Sequence, residues 1–66
     1  MYIKVNNETQ KISKETTIHI LVEDLKIQTN GIAIAVNNSV VKKSDWESKI
    51  LQENDDILII KSTQGG

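Results

Sequence analysis

Two glycines, Gly65 and Gly66, stand at the carboxyl end of the sequence, after an apolar run and a short polar stretch. Glycine has no Cβ and no side-chain functional group, so a Gly-Gly end can enter a tunnel that is too narrow for other residues. The reactive group at such an end is the free α-carboxylate of Gly66. We therefore expect this carboxylate to be the substrate of another enzyme. The alternative is a frayed end that happens to finish in glycine.

Other chemistry has little support in the composition. The 66 residues include no cysteine and one histidine, His19, which excludes a thiolate or histidine-rich metal site, so no metal is expected. Since a chain of this size buries only about 60% of its unfolded surface, it has little room for an enclosed cleft. No spacing suggests a pair of catalytic groups, and His19 is interpreted as a solvated surface residue. A carrier or binding module is favoured over an enzyme.

Charge and hydropathy limit the environment and the partners. Eight basic and nine acidic residues give a net charge of -1 without a long run of either sign, which argues against nucleic-acid binding. The longest apolar runs are much shorter than a membrane span. Residues 1–5 alternate like a strand instead of forming a charged and then apolar leader, so no signal peptide is expected. The sequence predicts a cytoplasmic monomer.

The first half of the chain reads as a hairpin followed by a helix. Two strands are predicted from the alternation over residues 1–5, the turn at Asn6-Asn7 and the short polar arm at residues 10–13. The second strand is expected at a sheet edge. Thr17 is the predicted N-cap of the helix. The positions that follow it at i, i+3, i+4 and i+7 form one apolar stripe, which consists of Ile18, Leu21, Val22 and Leu25.

The second half predicts another hairpin, a short helix and a last strand. Residues 32–36 and 40–41 flank Asn37-Asn38, a pair that suits a two-residue turn. Ser44 and Glu47 have capping-box spacing, so residues 45–51 are predicted to be helical, with Trp46 and Ile50 one turn apart. Asn54-Asp55 predicts the final turn, and residues 57–60 the last strand.

This order of elements predicts an α+β fold of the β-grasp (ubiquitin-like) type, with a mixed five-strand sheet, one main helix on one face and a short second helix. The whole chain forms one domain, residues 1–66. The last strand is expected beside the first, in the middle of the sheet. Residues 61–66 are expected to form a flexible tail that, if extended, reaches about 20 Å beyond it.

The whole chain resembles the ThiS family of sulfur carrier proteins of thiamine biosynthesis. The match lies in the order and spacing of five short segments, which are Thr17-Ile18-His19, Ala35-Val36-Asn37, Val41 with Lys43 before Trp46, Asn54-Asp55-Asp56-Ile57, and Gly65-Gly66. The chain departs from the family at Ile20, where Glu or Gln is frequent, at Lys42, where proline is common, and at Asn54, where glycine is usual.

The resemblance implies a role for the carboxyl end. Gly66 would be adenylated with ATP by an E1-like enzyme of the ThiF type, then converted to a thiocarboxylate (1-thioglycine) with sulfur from a cysteine desulfurase relay. A thiazole synthase of the ThiG type would consume that sulfur. Gly65 would give access to the partners' active sites, and Gln64 would contact a partner. The chain itself would be a cosubstrate that binds no cofactor.

The sheet face opposite the helix is the predicted partner surface. Counting back from the tail by analogy with ubiquitin places Leu58 and Ile60 outward, and Ala33 and Ala35 are expected on the same face. An exposed apolar patch of this kind often marks a protein interface.

Two other functional interpretations stay open. The small subunit of molybdopterin synthase and the carriers of tRNA thiolation share the fold and the thiocarboxylate, although the absence of proline favours the thiamine interpretation. From a different class, the chain could be an inert ubiquitin-like interaction module in which Gly65-Gly66 is incidental. Dependence of function on the free carboxyl end distinguishes a carrier from such a module.

Overall fold

The computed structural model describes residues 1–61, which form five strands and one α-helix. The elements are β1 (Tyr2–Val5), β2 (Glu8–Lys11), α1 (Ile18–Asp24), β3 (Ile32–Val36), β4 (Ser39–Val41), a 3₁₀ turn (Lys43–Asp45) and β5 (Asp56–Lys61). The strands lie in the order β2-β1-β5-β3-β4. Because β5 is parallel to β1 and antiparallel to β3, the sheet is mixed, and the predicted β-grasp arrangement is confirmed.

Asparagine pairs make both hairpin turns. Asn6 and Asn7 have φ angles of 50° and 69°, and Asn37 and Asn38 have 51° and 72°. Asparagine enters this left-handed region more readily than most residues, and two consecutive positive φ angles are what a two-residue hairpin of type I′ requires. The first turn places Glu8 opposite Val5, so β2 begins and ends two residues earlier than the predicted arm at residues 10–13.

The main helix begins as predicted. The Thr17 hydroxyl accepts a hydrogen bond from the Ile20 amide at 3.2 Å and so satisfies one free donor of the first turn. Ile18, Leu21 and Val22 are buried, and Leu25, just after the helix, packs against the core at its edge. Ile20 is exposed.

The predicted short second helix is present only as a 3₁₀ turn at Lys43–Asp45, and its predicted bounds, residues 45–51, are wrong. Ser44 lies inside this turn and is not its N-cap, so the predicted capping box does not form; the N-cap is Lys42, which makes no side-chain capping bond. The chain leaves helical geometry because the next segment pairs with the residues around the start of α1. There the Leu51 amide bonds the Thr16 carbonyl at 2.8 Å, and the Ile18 amide bonds the Lys49 carbonyl at 3.1 Å.

Trp46 anchors this segment in the core, as predicted. It is buried, and its indole Nε1 donates to the Val41 carbonyl at 3.1 Å. Ile50, the apolar residue that the prediction placed one turn after Trp46, is 50% exposed. The buried apolar residue of this segment is instead Leu51, which is only 1% exposed. The buried cluster lies between α1 and the sheet and consists of Ile3, Val5, Ile18, Leu21, Val22, Ile34, Val36, Trp46, Leu51, Ile57 and Ile59.

Candidate partner surface and the carboxyl-terminal strand

Strand β5 carries the carboxyl end of the chain and is held on both sides. It lies between β1 and β3, and its last residue, Lys61, is paired with Ile32. Lys61, predicted as the first residue of the tail, is therefore part of the sheet. Gln64, Gly65 and Gly66 lie outside the described residues, so the roles expected for them stay predictions.

The side chains of β5 alternate as predicted. Leu58 and Ile60 are 47% and 45% exposed, whereas Ile57 is fully buried. Ile59 is also buried. Since alternate strand residues point to opposite sides of a sheet, Leu58 and Ile60 lie on the face that α1 does not cover. The outward parity inferred by analogy is confirmed.

The two alanines of β3 differ in exposure. Ala33 is opposite Ile60 and exposed, as predicted. Ala35 is opposite Leu58 and therefore shares the face, as predicted, but it is only 6% exposed, and its role as a contact residue stays a prediction. The reason for its low exposure is steric. Ala35 lies between Leu58 on one neighbouring strand and Val40 on the other, and both larger side chains rise beside its methyl group.

Val40 is the patch residue that sequence reasoning missed. It is 71% exposed, and its pairing with Ala35 places it on the same face as Leu58. The exposure of Val40 could have been predicted from the two-residue turn at Asn37-Asn38. This turn fixes the register of the hairpin and therefore the face on which each β4 residue lies. We call Ala33, Val40, Leu58 and Ile60 the open-face patch.

The open face becomes polar towards β2. Lys4 of β1 is paired with Asp56 of β5, and Thr9 of β2 is paired with Lys4, so these three residues share the face with the open-face patch. Tyr2 lies on this half too and is 51% exposed. The face therefore combines an apolar half over β3, β4 and the rest of β5 with a mixed polar half over β1, β2 and Asp56, the first residue of β5.

Side-chain hydrogen bonds fix the start of β5. The Asp55 carboxylate accepts from Asn37 Nδ2 at 3.0 Å and from the Gln52 amide at 2.8 Å, and Asn37 Oδ1 accepts from the Asp56 amide at 2.9 Å. Asp55 is buried. The turn that precedes β5 is thereby tied to the β3–β4 turn. The sequence predicted turns at both places, but the pairing of these side chains depends on tertiary structure.

A second asparagine contacts β5 near its end. The Ile59 amide donates to Asn6 Oδ1 at 2.8 Å, and Asn6 Nδ2 donates to the Ile59 carbonyl at 3.4 Å. Both polar atoms of one side chain are therefore directed to the main chain of a single β5 residue. The sequence predicted Asn6 only as a turn residue.

His19 is on the surface as predicted, and its Nε2 lies 3.3 Å from Glu23 Oε2, a contact that was not expected. Residues 1–61 contain no group of three His, Cys, Asp or Glu side chains able to hold a metal ion. Within the same residues, no helix has the length and apolar character needed to cross a membrane.

The family model of the ThiS family matches residues 3–66. The chain belongs to the ThiS family. It is 32% identical over 66 residues to the sulfur carrier protein ThiS of Escherichia coli K12, and the alignment covers 100% of both chains.

Solved structures carry the same fold. A crystal structure of the thiamine biosynthesis protein ThiS from Geobacter metallireducens superposes with a TM-score of 0.89 at 17% identity, covering 100% of both chains. A solution structure of a thiamine biosynthesis protein from that organism gives 0.79 at 16% identity, covering 100% of this chain and 88% of the other. The chain therefore has the β-grasp architecture of these proteins.

Proposed function

We propose that this ThiS chain is a sulfur carrier of thiamine biosynthesis, whose C-terminal Gly66 is converted to a thiocarboxylate. The observation that carries the proposal is the family match over residues 3–66, which includes the terminal Gly65-Gly66 pair together with the fold. The E. coli relative, which aligns over its whole length, bears the name of a sulfur carrier protein.

The first chemical step is activation of the Gly66 carboxylate. A carboxylate is a poor acyl donor because its leaving group would be oxide. An adenylating partner of the ThiF type transfers AMP from ATP to a carboxylate oxygen and releases pyrophosphate. The acyl-adenylate then has a stabilised phosphate leaving group.

Sulfur enters in the second step. A persulfide sulfur from the cysteine desulfurase relay attacks the acyl carbon and AMP leaves, after which reductive cleavage of the sulfur–sulfur bond by a thiol of the partner system gives the thiocarboxylate. The product keeps its sulfur nucleophilic and covalently attached to a folded protein. A thiazole synthase of the ThiG type takes up the sulfur, so the ThiS chain acts as a cosubstrate and not as a catalyst.

The described structure supplies the two features that such a cosubstrate needs. One is a fixed point of departure for the reactive end, since β5 is paired with β3 as far as Lys61, which lies opposite Ile32. The other is a recognition surface. The open-face patch is apolar, and the half of the sheet beside it carries Lys4, Asp56 and Thr9, a core-and-rim arrangement that suits a non-obligate protein interface.

The roles proposed for the last residues follow from their size. Gly65 offers no side chain to obstruct entry into the adenylation site, and Gln64, the residue before it, is assigned to partner contact. ATP and the thiol relay belong to the partners. We place the reaction sequence in the cytoplasm, where thiols are kept reduced and the protein's lack of disulfides has no cost.

Adding one residue after Gly66 tests the proposal. The extended protein retains every residue of the folded body, but the Gly66 carboxylate becomes a peptide carbonyl that cannot be adenylated. In ATP–pyrophosphate exchange with the ThiF-type enzyme of the same organism, we expect the natural chain to support exchange and the extended chain to show none. Equal exchange with both proteins would overturn the assignment of Gly66. The melting temperature of the extended protein serves as the control for folding.

A further inference from the structure

Strand β1 is too short to pair with the whole of β5. The parallel register between them contains Lys4 with Asp56 and Val5 with Ile57, and the Asn6 amide donates to the Ile57 carbonyl at 2.9 Å. Beyond this bond the main chain turns away from β5, because Asn6 has a φ of 50° and begins the first hairpin turn. The second half of β5 therefore loses its main-chain partner on this side.

The Asn6 side chain takes the place of the missing strand residue. In a continuing parallel ladder, the Ile59 amide would donate to the carbonyl of residue 6. In this structure it donates to Asn6 Oδ1 at 2.8 Å, and Asn6 Nδ2 reaches back to the Ile59 carbonyl at 3.4 Å. The orientation of the amide is fixed by chemistry, since the Ile59 N–H can only donate and its carbonyl can only accept.

We propose that Asn6 is a positioning residue for the adenylation of Gly66, an inference that rests on the proposed function. Ile59 lies two residues before Lys61, and within residues 1–61 the Asn6 contact is the last hydrogen bond that β5 makes on its β1 side. With Asn6 in place, the end of β5 is already ordered when the partner binds. Without it, part of the population has a frayed strand end that is not competent for adenylation. The apparent affinity for the partner then falls in proportion to the fraction of molecules that remains competent.

The neighbouring residue provides a matched control. Asn7 also has a positive φ, 69°, and occupies the second position of the same turn. Within residues 1–61, however, its side chain makes no hydrogen bond. Replacing either asparagine by glycine retains a residue that accepts positive φ. Only Asn6→Gly removes the contact with Ile59.

The test measures adenylation kinetics and amide exchange on Asn6→Gly, Asn7→Gly and Asn6→Asp, in the full chain and far below the melting temperature of each variant. With the ThiF-type enzyme and ATP, we expect Asn6→Gly to lower kcat/KM by about three- to fivefold, the size of about one net hydrogen bond. Asn7→Gly should match the natural chain. Asn6→Asp retains the acceptor for the Ile59 amide and should recover part of the loss.

Amide hydrogen exchange supplies a readout that needs no partner. Exchange at the Ile59 amide should accelerate in Asn6→Gly by at least as large a factor as kcat/KM falls, and should stay unchanged in Asn7→Gly. If kcat/KM of Asn6→Gly equals that of Asn7→Gly while the natural chain is adenylated, Asn6 has only a structural role and the inference is overturned. If the natural chain is not adenylated, the proposed function is wrong, and the inferred effect of Asn6 on adenylation is wrong as well. Amide exchange at Ile59 then still shows whether Asn6 orders the end of β5.

Discussion

At the scale of single residues, the alternation of β5 separates stability from recognition. Leu58 and Ile60 contribute apolar surface that is half exposed, whereas Ile57 between the sheet and α1 is fully buried. The same substitution should therefore have opposite consequences at adjacent positions of one strand. Comparing substitutions at these adjacent positions therefore tests the role of the open-face patch more directly than removing any one side chain.

We predict that Leu58→Asp and Ile60→Asp weaken binding of the adenylating partner at least about tenfold, as expected when a charge enters the apolar centre of an interface. Stability should change by no more than about 1 kcal/mol, because both positions are exposed in the free protein. The paired control is Ile57→Asp, which buries a carboxylate without a partner and should abolish folding. Calorimetric titration and thermal melts distinguish the two classes. Global unfolding of Leu58→Asp would contradict the assigned face.

Ala35 and Val40 show what residue patterns predict and where they fail. Alternation placed Ala35 correctly on the open face, but its burial depends on the size of its cross-strand neighbours, Leu58 and Val40. The contact between Ala35 and Leu58 joins strands that are distant in the sequence, so it depends on the tertiary structure. The contact with Val40 follows from the hairpin register, so the most exposed residue of the patch could have been found from the sequence.

At the scale of elements, the hydrogen bonds around Asp55 connect the turn before β5 to the β3–β4 turn. We predict that Asp55→Ala destabilises the protein by about 1–3 kcal/mol, because the Gln52 amide and the Asn37 side chain lose their acceptor in a partly buried site. Asp56→Ala removes the same charge one residue later, from an exposed side chain, and should cost no more than about 0.5 kcal/mol. Urea denaturation of both variants measures the difference, and equal losses would contradict the role given to Asp55.

Elements whose sequence signal is local were predicted well. The two asparagine pairs, the Thr17 cap and the apolar stripe of α1 each depend on residues a few positions apart, and all four features are present. The segment after β4 was mispredicted because its conformation is set by residues 16 to 18, about thirty positions away, which hydrogen-bond to residues 49 to 51. A capping-box spacing could not compete with those main-chain bonds.

At the scale of the whole molecule, the fold places β5, the last described strand of the sequence, in the middle of the sheet. This strand has β3 beside it as far as Lys61, whereas β1 is paired only with its first two residues, Asp56 and Ile57. This topology was predicted from the order of the elements, and it explains the continuously apolar run at residues 57–60, which an edge strand would not tolerate. The hydrogen bonds of Asn6 and Asn37 to β5 were not predictable from the sequence, because they join residues brought together only by that topology.

The central claim, that Gly66 becomes a thiocarboxylate, is tested most directly by mass spectrometry of the peptide from Ser62 to Gly66. The protein is incubated with ATP, the ThiF-type enzyme and a cysteine desulfurase, and then cleaved after Lys61. The peptide excludes Met1, whose oxidation adds nearly the same mass as the exchange of oxygen for sulfur. We expect that exchange in the peptide from the natural chain, and only when ATP is present. A peptide that keeps its ordinary carboxylate, while the E. coli relative is converted by its own enzymes in parallel, would contradict the account.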